Sequence, residues 1–455
     1  MKKYPDGQVL YRNLSKEYPL VKKAKGPYIW DTDGKKYFDG SGGALVMSLG
    51  HSCEPVLKDY IREIKKVTYV NGMQFSTPVL ESFAHELVSF LPDQKASKKS
   101  EISNDRKVFL LGSGSEAIEA AIKFARQLWV ERGQSERKVF IARSPGYHGN
   151  TLFALSASAR PYYKKFFGPL LSEVEMVSAP YEYRCPVDYT RDGADYYIKE
   201  LQACIEKVGP HRVAGFIAET VGGSSTGASP PPPDYFLKVQ RLCEEYKILT
   251  IADEVMCGAG RTGTFFAFEN FSFNPDIVVL GKGINAGLLP LSAVLVKKDH
   301  VDEMKKGSGG FMHAQTYMQA PSSAAAGLAV LKYFKKNKVL KNVQKLGAIF
   351  HKELKEKVGT HAFVGNISGM GLFAGVEIVK NKTSKSPFDR NLKIAEHFVE
   401  HAFSEGLVVW PNTGQADGVN GDLFMLGPPL NSKKVEVLEL VDKVQHCLQT
   451  FDRFT

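Results

Sequence analysis

Ile248-Leu249-Thr250-Ile251-Ala252-Asp253-Glu254-Val255 and Ile277-Val278-Val279-Leu280-Gly281-Lys282-Gly283 are two apolar runs that each end in an ionisable group. Short β-branched and aliphatic runs bounded by turn residues read as strands buried on both faces, as in a parallel sheet. Ligands of such sheets bind beyond the carboxyl ends of the strands, where Asp253 and Lys282 fall. A lysine there loses water, which lowers its pKa and makes its amine nucleophilic. An aspartate there needs a cationic partner, and a protonated ring nitrogen would supply one. Taken singly, Asp253 could cap a helix and Lys282 could sit on the surface. Taken together, they suggest a chain built to hold an aldehyde cofactor covalently and to charge its ring nitrogen.

Working outward, the stretch from about 107 to 325 alternates short apolar strands with helical patterns. The strands expected are Lys107–Leu111, Lys138–Ile141, Val213–Ala218, Ile248–Ala252, Ile277–Leu280 and Ser292–Val296, with helices over 115–131 and 234–246. That alternation implies an α/β fold whose largely parallel sheet is covered by helices on both faces. Upstream, within Tyr28–Gly40, two β-rich runs flank Asp31-Thr32-Asp33-Gly34, a hairpin signal. Val56, Leu57, Tyr60, Ile61 and Ile64 space as one helix face, and Lys95–Ser100 reads as a polar surface loop. Beyond 325 come lysine-rich helices, a strand pair near Phe363–Val364 and Leu372–Ile378, and a last helix from about Ser432. The expected division is an N-terminal segment (1–65) contributing to a small domain, a large cofactor-binding domain (66–325) and a C-terminal small domain (326–455).

At 455 residues the chain exceeds one compact core. With 43% hydrophobic and 24% charged residues it is composed like a globular protein. No apolar run is long enough to span a membrane, and Met1–Asp6 carries no apolar signal core. The net charge of +10 is spread in pairs such as Lys65-Lys66 and Lys335-Lys336, which argues against nucleic acid and for anionic small molecules. Six cysteines without a CxxC imply neither a zinc site nor a disulfide framework, so no metal is expected and a cytoplasmic location fits.

Two further motifs carry chemistry. Leu110-Leu111-Gly112-Ser113-Gly114-Ser115-Glu116 reads as a strand, a glycine turn and a helix start, and a helix N-terminus cradles phosphate. Ser113, Gly114 and Ser115 are its candidate ligands; a plain serine-capped helix is the ordinary alternative. Ser144-Pro145-Gly146-Tyr147-His148-Gly149 sets an aromatic ring and an imidazole between glycines, so Tyr147 could stack on a flat ring. Gly258-Ala259-Gly260-Arg261-Thr262-Gly263 matches GxGxxG literally. A dinucleotide site would need a helix opening on it, whereas Thr264-Phe265-Phe266-Ala267-Phe268 reads as extended or packed loop. As a set, the phosphate turn, Tyr147, Asp253 and Lys282 describe a pyridoxal phosphate (PLP) pocket.

With these motifs in this order, the chain resembles the class III aminotransferases, ω-amino acid type, of PLP fold type I. The resemblance runs through Gly26-Pro27-Tyr28-Ile29-Trp30-Asp31, Ser113–Ala117, Tyr147-His148-Gly149, Ala218-Glu219, Asp253-Glu254-Val255, Gly260–Gly263, Gly281-Lys282-Gly283 and His313–Tyr317. It implies a large domain with a mostly parallel seven-stranded sheet between helices, plus a smaller α+β domain. It further implies that Lys282 bonds PLP and then moves protons, and that Asp253 keeps the pyridine nitrogen protonated. Tyr147 and Val255 would press the two ring faces, Gly114 and Ser115 would bind phosphate, and Glu219 and His148 would line the pocket. Thr316 would reach the phosphate of a neighbouring subunit, making a homodimer, or a tetramer of such pairs, the expected assembly. Partners are then a small amine and an oxo acid such as pyruvate or 2-oxoglutarate. A racemase, decarboxylase or lyase of the same fold, or a non-catalytic binding protein, are the rival readings. The chain departs from the pattern at Thr220, Met256, Ala314, Ala320 and Ser368. It is aliphatic at Leu45, and Trp410–Asp422 lacks an arginine that several members use for a carboxylate. These changes bear on substrate choice.

Overall fold

The computed structural model describes residues 6–92 and 105–454. The loop expected at Lys95–Ser100 lies outside the described residues. In chain order the strands are β1 (Val21–Lys25), β2 (Tyr28–Asp31), β3 (Lys36–Asp39), β4 (Arg106–Leu111), β5 (Val139–Ser144), β6 (Glu175–Ser178), β7 (Val213–Glu219) and β8 (Leu249–Asp253). They continue as β9 (Ile277–Leu280), β10 (Ser292–Lys297), β11 (Val364–Gly369), β12 (Ala374–Ile378), β13 (Leu407–Val408), β14 (Trp410–Thr413) and β15 (Asp422–Leu426).

The central sheet has seven strands in the order β4-β10-β9-β8-β7-β5-β6. Only β10 runs antiparallel to its neighbours, so the mostly parallel sheet expected from the sequence is present. β7, β8 and β9 are buried along their whole length, which is why they read as unbroken apolar runs. Their side chains alternate between two cores: Val278 and Leu280 join one, Ile277 and Val279 the other. Helix Gly114–Glu131 lies against one face through Ala117, Ala120, Ala121 and Ala125, small residues that permit close approach. Six strands fall where the alternation placed them, and the seventh, β6, had escaped notice. Its four residues, Glu-Met-Val-Ser, form an edge strand with little apolar pattern to read.

Two four-stranded sheets flank it, β1-β2-β3-β13 and β11-β12-β15-β14. The expected hairpin is β2–β3, paired antiparallel. The N-terminal and C-terminal segments share a sheet, because β3 pairs in parallel with β13 through Phe38 and Leu407. Tyr28 Oη also donates to Glu439 at 2.6 Å. Helix Pro321–Lys336 runs unbroken across position 325, and we propose that it joins the two units expected from the sequence. Among the described residues, no helix is long and apolar enough to cross a membrane.

Glycine fixes how β12 meets the loop after β7. A Cβ on Gly375 would overlap the backbone of Gly227, whose carbonyl also accepts from Ser368 Oγ. Backbone cannot rotate away as a side chain does. Gly375→Ala should therefore destabilise the protein by about 1–3 kcal/mol. Gly168→Ala, where a Cβ meets nothing within 4 Å, should stay within about 0.5 kcal/mol. Urea denaturation of both variants checks the contrast.

Candidate active site

Parallel register brings the charges together. Glu219 at the end of β7 pairs with Asp253 at the end of β8, and Asp253 pairs with Val279 of β9. The Glu254 amide donates to the Val279 carbonyl at 2.8 Å, which continues the pairing one residue past β8. β9 ends at Leu280, and after Gly281 comes Lys282 with φ +44. A left-handed lysine costs about 1–3 kcal/mol of backbone strain, and such strain collects at functional sites. Ser48 Oγ holds the turn by donating to the Gly283 carbonyl at 2.7 Å.

Asp253 is buried, and its Oδ2 lies 2.7 Å from His148 Nδ1. Its Oδ1 accepts from the Val255 amide at 3.0 Å. With a carboxylate as acceptor, Nδ1 is the donor of this pair, and Nε2 is buried with no partner. The His148 amide donates to Ser158 Oγ at 2.8 Å, which holds the main chain at this residue. Glu219 accepts from the Gly223 amide at 3.0 Å and from the Tyr147 amide at 3.4 Å. Burial pushes the Glu219 carboxyl up, and the neighbouring Asp253 adds to this against the opposing pull of His148. Burial lowers the Lys282 amine to about 8, more than Asp253 and Glu219 raise it.

Helix Gly114–Glu131 opens beside this cluster. Ser113 caps it by accepting from the Glu116 amide at 3.3 Å, and Ser292 Oγ pins the Ser113 carbonyl at 2.7 Å. Among the described residues, the Gly114 and Ser115 amides have no acceptor. Ser115 Oγ donates to Asn150 Oδ1 at 3.0 Å and accepts from the Asn150 amide at 3.1 Å. The floor admits only glycine: a Cβ on Gly114 would stand 2.8 Å from Val255 Cγ1, and one on Gly149 would stand 2.5 Å from Ser115 Oγ. Val255 also faces Gly281, so one side chain separates the helix start from the Lys282 turn. Thr316 is not brought in within the subunit. It is exposed, and its carbonyl accepts from Tyr69 Oη at 3.1 Å.

The neighbours of the GxGxxG loop explain its glycines. Arg261 is buried with Nη1 donating to the Leu372 carbonyl at 3.1 Å and the Pro428 carbonyl at 2.5 Å. A Cβ on Gly260 would stand 2.8 Å from Phe334. A short 3₁₀ turn, Ala267–Phe271, follows instead of a nucleotide-binding helix. Its Ala267 and Phe268 amides donate to Glu254, each at 2.7 Å. Thr220 Oγ1 donates to the same carboxyl at 3.0 Å, so the departure at 220 supports Glu254. Leu45 is buried with Val221, Cys257 and Phe373 in a small core cluster.

Sequence reading missed several residues around the site. Arg143 in β5 donates to the Glu219 carbonyl and lies over Tyr235 and Phe236, with its Cζ 6.0 and 5.9 Å from the ring centroids. An arginine inside an apolar strand was the available signal, since a buried charge needs partners. Asn150, Ser158, Arg160 and Asn412 gave no such signal.

A family model described as aminotransferase class-III matches residues 11–448. The chain belongs to the class III aminotransferases. An uncharacterized aminotransferase, YodT of Bacillus subtilis, is 36% identical over 94% of this chain and 94% of its own length. The putrescine–pyruvate aminotransferase of Pseudomonas aeruginosa is 31% identical over 96% of this chain and 92% of its own. Among solved structures, a Bacillus anthracis aminotransferase superposes with a TM-score of 0.89 at 28% identity, covering 98% and 96% of the two chains. The chain is thus a transaminase of the PLP-dependent fold type I class, as the resemblance implied.

The site fits that cofactor. It offers a lysine amine of lowered pKa for an aldehyde, a carboxylate for a ring nitrogen, and unpaired amides at a helix start for a phosphate. The glycine floor leaves room for nothing larger than hydrogen beneath. In the cofactor-free protein, an amine-reactive probe should label Lys282 with a half-maximal rate near pH 8, rising with pH as the neutral amine forms. Peptide mass spectrometry checks this; a profile like that of surface lysines would contradict it.

Proposed function

We propose that this aminotransferase binds PLP through Lys282 and moves an amino group from an amine or ω-amino acid to an oxo acid, pyruvate or 2-oxoglutarate. The observation that carries this reading is the junction of Lys282, Asp253 and the Gly114–Ser115 helix start around Val255. The names of the relatives above, and of the plant γ-aminobutyrate transaminases at 32% identity, support small amines and ω-amino acids as donors.

The Gly114 and Ser115 amides and Ser115 Oγ would hold the phosphate. Tyr147 and Val255 would confine the ring between them. Asp253 would hold a proton on the ring nitrogen, with His148 Nδ1–H fixing the carboxylate in place. PLP, when bound, supplies an electron sink that acidifies the C–H next to the substrate nitrogen. Lys282 Nζ, freed once the donor amine had taken its place, would carry that proton from the substrate carbon to the cofactor carbon, and back again in the second half-reaction. An amine near pKa 8 does both close to neutral pH. Water would release the donor as a carbonyl compound while its nitrogen stays behind, and the oxo acid would take up that nitrogen, return a water and leave as an amino acid. Ping-pong kinetics follow.

Lys282→Ala should abolish turnover and the visible absorbance of the lysine-bound cofactor. Asp253→Asn should cut kcat by about 100-fold or more, because a neutral amide cannot hold the ring proton. Donor amine alone should convert the holoenzyme to its pyridoxamine phosphate form. A racemase, decarboxylase or lyase would not accumulate that form.

We also propose that the chain works as a homodimer, with Thr316 of each subunit serving the partner's site. Exposed Met73, Phe75 and Met312, with Tyr69 and Tyr317 packed edge to face at 6.0 Å, support a covered surface there. Sedimentation should give at least the dimer mass.

A further inference from the structure

Arg160 is a charge without a matching anion. It precedes the short helix Pro161–Phe167, and its guanidinium Cζ lies 5.7 Å from the centroid of the Tyr147 ring. Nη2 donates to Ser224 Oγ at 2.8 Å, and Nη1 donates to Asn412 Oδ1. Both acceptors are neutral. Nε is buried with no partner, and so is Nδ2 of the same Asn412. Two unsatisfied donors therefore sit on bonded neighbours. Among the described residues Arg160 makes no ion pair. Glu219 is the carboxylate whose field reaches it most strongly, and burial pushes that carboxyl toward its neutral form. Removing a guanidinium from water without a paired anion costs several kcal/mol, so such an arrangement is expected where an anion arrives with a ligand. Arg160 is also close enough to Lys282 for its charge to act on the amine. Asn412 belongs to β14, in the Trp410–Asp422 stretch that has no arginine.

We propose that Arg160, steered by Ser224 and Asn412, binds the carboxylate of the oxo acid and amino acid substrates. The inference rests on the transaminase reading above and names the group that recognises its acid substrate. A guanidinium fork matches a carboxylate in two parallel hydrogen bonds, and the Asn412 amide can add a third. The subsite is thus built from the turn before Pro161 and from β14 rather than from a late arginine. A carboxylate-free amine would leave it unfilled.

Steady-state kinetics of wild type, Arg160→Gln and Arg160→Lys with pyruvate test this, alongside the half-reaction with a monoamine lacking a carboxylate. Arg160→Gln should raise the pyruvate KM by about 10- to 100-fold, the worth of hydrogen bonds to a charged group. The monoamine half-reaction should lose far less, and Arg160→Lys should fall between wild type and Arg160→Gln. Calorimetry of the holoenzyme should show propionate binding that Arg160→Gln loses and Arg160→Lys partly keeps. An unchanged pyruvate KM, or equal losses with pyruvate and monoamine, would overturn the assignment. If Arg160→Gln does not fold, Arg160→Lys decides on the same two readouts. If wild type fails the monoamine half-reaction, the transaminase reading falls, and propionate binding still tests the anion site.

Discussion

Two carboxylates, Glu219 and Asp253, are held side by side by the parallel register of β7 and β8, at buried ends where water cannot screen them. Like charges in that position are tolerated only with compensating groups, and uncompensated burial of one costs about 3–5 kcal/mol. The rest of the site can be read as that compensation. His148 binds Asp253, Gly223 and Tyr147 give amides to Glu219, and Lys282 is drawn in from the neighbouring strand. The same crowding raises Glu219 and keeps the Lys282 amine from falling as far as burial alone would take it. An amine near pKa 8 is the result, close enough to neutrality to take up and return a proton.

Glycine sets the second constraint. Val255 fills the space between Gly114 and Gly281, and neither position has room for a Cβ without moving it. The helix start, the strand-end carboxylate and the lysine turn thus share one contact. Backbone amides at the helix start would suit an anion such as a phosphate, while Asp253 would suit a cationic nitrogen. A ligand with an anionic end and a basic ring satisfies both at once.

Much of this was legible in the chain. Strands buried on both faces announce themselves as apolar runs, so most of the central sheet, the helix at Gly114 and the Asp253 and Lys282 positions could be read directly. Strands that lean on tertiary pairing could not. β6 is a short edge strand, β13 has two residues, and β14 carries Pro411. The GxGxxG loop shows the limit of motif reading: its glycines serve Arg261, Phe334 and Gly371 packing, not a nucleotide. Thr220, a departure when read as sequence, turns out to support Glu254.

Residue order alone pointed to the class of chemistry, because a lysine, an acid and a glycine–serine helix start that each follow a buried strand leave few alternatives. It also determined where the sheet lies, since apolar runs of that length must be buried. Only the tertiary structure decided which polar groups meet. Arg160 and Asn412 are far apart in the chain and carry no local pattern, yet they share a hydrogen bond beside Tyr147. His148 finds Asp253 in the same way. Such contacts depend on which loops close over the carboxyl end of the sheet, and that is set by packing between elements rather than by propensity within any one of them.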